Sequence, residues 1–308
     1  MSFVEKALKK IQDAKVAETS TSLKAIKAPA HAETIVGRLV ESPSSQSGDA
    51  IGSRPVAKKA IHVDRSLLRS AGLLPPDHQE RELAAQYRQI KRPLIAAARG
   101  KGESAVSNGH LIMIASAFPG EGKTFTSVNL AMSLALEKDF TVLLLDADVA
   151  KAHVSRLFGV EGERGLLDAL RDPAIDIETL VLPTDIPGLS VLPAGTNAEH
   201  ATELLASERM QQIVSSLGSS DSNRMVLFDS PPLLLTSESR VLAQIVGQVA
   251  LVVCANRTPQ KAVLEAISYI GPNKPVGLVL NQATQKSQNG YYYGYGSYGD
   301  PERTQSVE

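Results

Sequence analysis

The stretch that decides the fold is Ala115-Ser-Ala-Phe-Pro-Gly-Glu-Gly-Lys-Thr124. It follows an apolar run at residues 111–115 and opens a helical pattern at residues 123–137, which is the strand–loop–helix context of a phosphate-binding loop. Backbone N–H groups of such a loop and of the following helix N-terminus point inward and bind oxyanions. Gly120 and Gly122 let the backbone approach phosphate groups, because neither residue carries a Cβ atom.

The residues that end the loop supply the rest of the chemistry of nucleotide binding. The Lys123 side chain can reach the β- and γ-phosphates of ATP, and the Thr124 hydroxyl can ligate Mg²⁺. Ala117 stands where the usual pattern G-x-x-x-x-G-K-[ST] has its first glycine. The nucleotide-binding residues predicted in this loop are Pro119, Gly120, Glu121, Gly122, Lys123, Thr124 and Phe125.

Two further apolar runs end in acids. Residues 142–148 finish with Asp146 and Asp148, and residues 225–229 finish with Asp229. Ligands bind at the carboxyl ends of strands in an open parallel sheet, so these acids are predicted to face the phosphates. Asp229 is predicted to hold magnesium through water. Asp146 and Asp148 point to opposite sides unless the strand has ended, and either could accept a proton or fix the metal.

The rest of the chain repeats the alternation of short apolar runs with helical patterns. This order predicts an α/β fold of the P-loop NTPase type, with a mainly parallel sheet covered by helices on both faces. The predicted strands lie at residues 111–115, 141–145, 189–192, 225–228, 249–253 and 276–280. The predicted helices lie at residues 77–99, 123–137, 203–217, 237–246 and 259–270. Pro93 is expected to kink or divide the first of these helices.

Composition limits the possible partners and the compartment. The net charge of −1 gives no global electrostatic attraction for nucleic acid or an anionic membrane. The single cysteine, Cys254, cannot form an internal disulfide, and its apolar surroundings predict a buried strand residue. No segment approaches the roughly 18 apolar residues of a membrane helix. The sequence therefore predicts a cytoplasmic protein with no nucleic-acid partner.

Four regions are predicted along the chain. Residues 1–15 form an amphipathic helix, residues 16–76 a disordered linker rich in Ala, Ser, Pro and Lys, residues 77–285 the P-loop domain, and residues 286–308 a flexible tail. The tail holds five of the seven tyrosines in the chain, three of them consecutive and the others set off by glycine and serine. These candidate phosphate acceptors are Tyr291, Tyr292, Tyr293, Tyr295 and Tyr298.

Together the loop at residues 118–124, the acids at residues 146–148 and the Asp-Ser-Pro-Pro at residues 229–232 resemble the three Walker motifs of bacterial tyrosine kinases. These P-loop kinases act in exopolysaccharide assembly. The resemblance covers roughly residues 81–282, and the opening residues look most like the subfamily encoded beside exosortase loci. The family often has E-x-x-R-x-x-R in the helix before the domain, used for ring assembly, and the aligned residues here are Ala85, Arg88 and Lys91.

The resemblance implies an activity and partners. Family members transfer the γ-phosphate of ATP to a C-terminal tyrosine cluster with the help of Mg²⁺. It also implies a homo-oligomer, a counteracting tyrosine phosphatase, and a membrane chain-length-determinant protein that holds the kinase at the inner face of the plasma membrane. Asn281 ends the last apolar run, and an Asn at this point contacts adenine in the family.

A second class of protein shares these motifs. P-loop ATPases that partition plasmids or position the division site use hydrolysis as a dimerisation switch, and they carry an extra lysine early in the loop. This loop has Phe118, Pro119 and Gly120 there, which favours the kinase over the switch ATPase.

Overall fold

The computed structural model describes residues 60–100, 106–196, 198–219, 221 and 223–283, all of which belong to one compact unit. The predicted amphipathic helix at residues 1–15 and the tyrosine-rich tail at residues 286–308 lie outside the described residues. The same holds for residues 16–59 of the predicted linker.

Within these described residues, seven strands form one sheet in the order β3-β4-β2-β5-β1-β6-β7. All neighbouring pairs are parallel except β3 and β4, which are antiparallel. The strands are β1 (Leu111–Ser116), β2 (Thr141–Asp146), β3 (Leu182–Pro183), β4 (Leu189–Leu192), β5 (Arg224–Asp229), β6 (Gln248–Cys254) and β7 (Val276–Asn281). Each of the six predicted strands is present, and Cys254 is buried as predicted.

Helices cover both faces of this sheet, as the apolar strands predicted. They are α1 (Arg65–Ser70), α2 (Glu80–Arg99), α3 (Lys123–Ala135), α4 (His153–Leu157), α5 (Leu166–Arg171), α6 (Ala201–Leu205), α7 (Glu208–Ser219), α8 (Ser237–Ile245) and α9 (Gln260–Ile270). Along β1, alternate residues join two different cores: Met113 packs under α5 to α9, whereas Ile112 and Ile114 pack under α1 to α4. A strand buried on both faces must be apolar at every position, which explains its unbroken apolar run. None of the helices in the described part of the chain is long and apolar enough to cross a bilayer.

The folded region starts earlier than predicted. The sequence predicted a disordered linker over residues 16–76, and this prediction is wrong for residues 60–76, which pack against the sheet. The Ile61 amide donates to the Pro183 carbonyl at 2.8 Å, beside β3, and Val63 and Leu68 are buried. Asp64 caps α1 by accepting hydrogen bonds from the amides of its first turn. A helix of six residues is too short to produce a recognisable apolar period, so the sequence pattern looked disordered.

Two predicted helices differ in detail. The helix α2 runs unbroken through Pro93, because Tyr87 and Leu94 on either side of it are buried in the core. The helix predicted at residues 203–217 is instead two helices, α6 and α7. Ser207 causes the break, because its hydroxyl accepts a hydrogen bond from the Met210 amide at 3.3 Å and so caps the start of α7.

Candidate active site

The strand order brings the three sequence motifs to one edge of the sheet. The strand β5 lies between β1 and β2, so the phosphate loop after β1 and the acids after β2 flank the acid that ends β5. The Cα atoms of Asp146 and Asp229 are direct partners in the β2–β5 register. The site therefore lies at the carboxyl ends of the central strands, where open α/β sheets bind their ligands.

Both glycines of the loop have left-handed backbone conformations, with φ of 76° at Gly120 and 99° at Gly122. Their surroundings differ. A Cβ atom on Gly122 would lie 1.9 Å from Nδ2 of Asn281, whereas one on Gly120 would meet nothing within 4 Å. Close approach by a neighbouring side chain therefore adds a second reason for glycine at position 122.

Lys123, the first residue of α3, lies inside the site. Its side chain is buried, and its Nζ atom donates to Oγ of Ser116 at 3.0 Å. Burial lowers the pKa of Lys123, while the negative charges of Asp229 and Asp148 act in the opposite direction. The ammonium group is therefore held next to the acids, at the end of the loop that would face the phosphates.

Asp229 is buried, and both of its carboxylate oxygens have hydrogen-bond partners. Its two carboxylate oxygens accept hydrogen bonds from the hydroxyls of Thr124 and Ser127, each at 2.8 Å. Burial raises the pKa of Asp229 to about 6, although these hydroxyls and Lys123 stabilise its charged form. The structure thus places two of the three predicted magnesium-binding groups, Thr124 and Asp229, in direct contact; the third is Asp146.

Asp146 is held by a residue that the sequence did not single out. Its Oδ2 atom accepts from the amide and the hydroxyl of Ser155, at 2.8 and 2.7 Å, while its buried Oδ1 atom has no hydrogen-bond partner. Burial raises the pKa of Asp146 to about 7, and repulsion by Asp229 and Asp148 adds to the shift. An unpartnered oxygen beside two other acids is suited to bind a cation, a water molecule or a proton.

Asp148 belongs to the same cluster of charges. The strand β2 ends at Asp146, so the alternation that would send the two side chains to opposite faces stops there. The charge of Asp148 acts on both Asp146 and Asp229, and its side chain keeps some exposure, at 8% against 0% for Asp146. The two acids therefore differ in accessibility more than in location.

Glu121 contributes to the loop in an unexpected way. Its carboxylate is buried and turned into the protein, where it accepts from the Phe118 amide at 2.8 Å and from the Thr258 hydroxyl. Two side chains at the end of β7 hold the loop from the other side. Asn281, the last residue of the strand, donates to the Glu121 carbonyl at 2.9 Å, and Gln282 donates to the Gly120 carbonyl at 3.1 Å. These contacts fix the shape of the loop before any ligand binds.

The remaining predicted residues have different positions. Pro119 is exposed at the tip of the loop, and Phe125 is half-buried against the core under α3. One N–H of the Asn281 amide is used by the loop, which leaves its Oδ1 atom to accept from adenine and its second N–H to donate. Adenine binding by Asn281 stays a prediction. The five acceptor tyrosines lie outside the described residues.

The donor set fits magnesium bound together with phosphate. Within the ranges that the structure describes, no group of three or more His, Cys, Asp and Glu side chains forms a metal-binding cluster. Magnesium in nucleotide sites usually takes one or two protein ligands and completes its shell with waters and phosphate oxygens. Thr124 would supply such a ligand and Asp229 would hold a magnesium-bound water, and the free Oδ1 atom of Asp146 belongs to the same charge cluster.

A glycine-containing loop between β1 and α3, together with acids at the ends of β5 and β2, defines a P-loop nucleotide-binding domain. In agreement with this class, the model of the AAA domain family matches residues 109–254.

Relatives define the family more narrowly. The tyrosine-protein kinase YwqD of Bacillus subtilis is 31% identical over 185 residues, which cover 59% of this chain and 76% of that protein. The putative tyrosine-protein kinase EpsB of Ralstonia solanacearum is 34% identical over 190 residues. The structure of the kinase domain of Escherichia coli tyrosine kinase ETK matches with a TM-score of 0.58 at 27% identity, covering 69% of this chain and 80% of that one. This chain belongs to the bacterial tyrosine-protein kinase family. The match to EpsB covers 61% of this chain but only 24% of EpsB.

Proposed function

We propose that this protein is an ATP-dependent tyrosine autokinase that phosphorylates its own C-terminal tyrosine cluster and regulates exopolysaccharide synthesis or export. The observation that carries the proposal is the buried acid cluster beside the phosphate loop. One of its members, Asp146, has a free oxygen and a pKa of about 7. A tyrosine hydroxyl with a pKa near 10 needs a nearby base to react at neutral pH.

The chain's own groups supply positioning and charge. The loop amides cradle the phosphates, and Lys123 offsets the charge that develops on the transferred group. Thr124 and Asp229 would hold magnesium, which when bound would neutralise phosphate charge. In the transfer, the tyrosine oxygen bonds to the γ-phosphorus as the bond to the bridging oxygen breaks. ADP leaves, and the phenolic proton goes to the acid pair of Asp146 and Asp148.

Each member of the acid pair has one property of a base. Asp146 has the pKa nearest to neutrality, whereas Asp148 has the greater exposure to an incoming hydroxyl. The pH dependence of the rate in Asp146→Asn and Asp148→Asn distinguishes them. Removal of the base should eliminate the acidic limb of the profile, whereas removal of a metal ligand should raise the magnesium requirement.

The primary test is phosphate mapping by mass spectrometry after incubation with Mg-ATP. Wild type is expected to carry phosphate on residues 291–298, and Lys123→Met is expected to carry none. Lys138→Met, which changes an exposed lysine after α3, is the matched control and should behave as wild type. Phosphotyrosine that persists in Lys123→Met would refute the site, and ATP turnover without phosphotyrosine would favour a switch ATPase.

The partners follow from the family. We propose that a membrane chain-length-determinant protein recruits the kinase to the cytoplasmic face of the plasma membrane, and that a tyrosine phosphatase reverses its modification. We also propose that the kinase forms a homo-oligomer. Lys91 is unsuited to join its subunits, because it is buried and binds the Ser133 carbonyl and Glu137 at 2.6 and 2.7 Å. Arg88, by contrast, is exposed on α2.

A further inference from the structure

The strand β7 forms an open edge of the sheet. It pairs with β6 on one side, and no described residue pairs with its other side. Two of its side chains, Leu278 and Leu280, are 40% and 65% exposed. Unpaired backbone groups flanked by exposed leucines are a template for a further strand.

A groove of about 1140 Å³ runs along this edge, between β7 and α2. Its apolar lining from α2 includes Ile90, Pro93 and Leu94, and its polar lining includes Gln86 and Gln89. Such a mixture suits a side chain with an apolar ring and a polar end. Tyrosine has this chemistry, because its ring can pack on the aliphatic residues while its hydroxyl reaches an amide.

We propose that the tyrosine-rich segment at residues 290–298 of this same chain occupies the groove as an added antiparallel strand. The groove is lined up to Ala283, and the sequence continues directly from there for the 25 residues 284–308. Residues 283–291 can span up to roughly 26 Å, more than the ~20 Å length of a six-residue strand, so the segment can turn back along β7. Gln282 has a left-handed φ of 56° and starts such a turn, and Asn289-Gly290 is a favoured turn dipeptide.

The N-terminal residues are a poorer occupant. Ile61 bonds beside β3, and β3 and β7 are at opposite ends of the sheet. Residues 1–59 therefore join the described part of the chain beside β3, whereas residues 284–308 join it at the groove.

Docking of the tyrosine-rich segment in this groove has a consequence for catalysis, which rests on the proposed kinase function. A seated tyrosine is withheld from the active site, so docking slows the first phosphorylation. A phosphorylated tyrosine carries about −1.5 to −2 charge, so Glu82, which lines the groove, repels it, and the apolar part of the lining cannot solvate it. Phosphorylation therefore releases the segment, so that only unmodified tyrosines stay docked in the groove.

Hydrogen exchange in the absence of ATP tests the seat independently of catalysis. Some amides of residues 276–281 bond to β6 with or without the segment and are left out of the comparison. In the full chain, the amides of these residues that point away from β6 should be protected. Replacing Tyr291, Tyr292 and Tyr293 together with serine should speed their exchange about tenfold, which corresponds to a docking free energy of ~1.4 kcal/mol. A matched variant, Lys286→Ser with Gln288→Ser, should leave exchange unchanged. Fast exchange in wild type, or protection that survives the loss of the tyrosines, would overturn the proposal. Protection that rises with protein concentration would assign the groove to a second copy and overturn it too.

Chymotrypsin, which cleaves after tyrosine, tests the other side of the contact. Leu280→Asp should speed cleavage within residues 291–298 several-fold, because a charge on the edge strand expels the segment. Leu235→Asp is the matched control, since Leu235 is 61% exposed on a loop away from the groove. Equal cleavage in the two variants would contradict docking. With Mg-ATP, the tyrosines of Leu280→Asp should also become phosphorylated faster than those of wild type. Faster cleavage with no phosphate on the tyrosines would support docking in the groove while refuting the proposed kinase function.

Discussion

An added methyl group on Gly122 should damage the phosphate loop in a way that the structure specifies. Gly122→Ala has two costs: alanine must adopt a φ of 99°, and its Cβ atom would lie 1.9 Å from Nδ2 of Asn281. That amide can rotate away only by giving up its hydrogen bond to the Glu121 carbonyl. Gly120→Ala shares the first cost, with a φ of 76°, and has no clash within 4 Å.

The magnitudes follow from these contacts. A left-handed conformation costs a non-glycine residue about 1–2 kcal/mol, and a lost hydrogen bond costs about 1 kcal/mol. Gly120→Ala should therefore lower the free energy of unfolding by about 1–2 kcal/mol, and Gly122→Ala by about 2–3 kcal/mol. Asn281→Ala alone should cost about 1 kcal/mol. Combined with Gly122→Ala it should cost nothing further, because the clash and the hydrogen bond have already been removed together.

Urea unfolding of the nucleotide-free protein measures all four variants, with the slope of the transition checked for constancy. The double-mutant cycle should give a coupling of about −1 kcal/mol between positions 122 and 281. In parallel, titration with a fluorescent ATP analogue should show weaker binding for Gly122→Ala than for Gly120→Ala.

Two results would refute this reasoning. Equal losses of stability in Gly120→Ala and Gly122→Ala would show that Asn281 imposes no constraint on the loop. Additive effects of Gly122→Ala and Asn281→Ala would show that the hydrogen bond to Glu121 survives the added methyl group.

Three further outcomes are expected. Between pH ~4 and ~7 a buried acid such as Asp146, with a pKa of about 7, is protonated in the folded state and ionised in the unfolded state, so the free energy of unfolding falls as pH rises. In the absence of metal, Asp146→Asn should make this fall shallower by about 1 kcal/mol per pH unit. An unchanged dependence of stability on pH would contradict the raised pKa. Thr258→Val should weaken binding of an ATP analogue about fivefold, because it removes the hydroxyl that donates to the Glu121 carboxylate. Thr258→Ser keeps the hydroxyl and should bind the analogue as wild type does. Identical affinities of the two variants would exclude a role for this contact. Leu68→Ala should lower the free energy of unfolding by about 2–5 kcal/mol, because Leu68 is buried. Leu67→Ala, at an exposed position, should change it by about 0.5 kcal/mol or less. Similar losses in the two variants would show that residues 60–76 are a linker and do not pack on the domain.

Sequence reasoning worked best where one local pattern suffices. A strand that is covered on both faces is apolar nearly throughout, and the six apolar runs are six of the observed strands, although one of them, β7, is a partly exposed edge strand. It failed where short elements depend on distant support. The helix α1 is held by packing on the sheet, and Ser207 divides α6 from α7 although both sides have helical composition.

The candidate site shows the same division. Lys123, Thr124 and the three acids were recognisable, because each stands at a defined place in a motif or at a strand end. Other contributors gave no sequence signal. Ser155 orients Asp146, and Thr258 holds Glu121, yet a serine or threonine in a loop is common and has no spacing that marks it.

The sequence by itself determined the loop, the strands and the acids that end them, because glycine at a phosphate loop and unbroken apolar runs are requirements of local chemistry. Only the tertiary structure decided what these residues contact. Thr124 meets Asp229 across 105 positions, and Thr258 meets Glu121 across 137, because β5 and β6 flank β1 in the sheet. Strand order is set by packing over the whole domain, so the hydrogen bonds, the burial and the raised pKa values that follow from it cannot be read from any one segment.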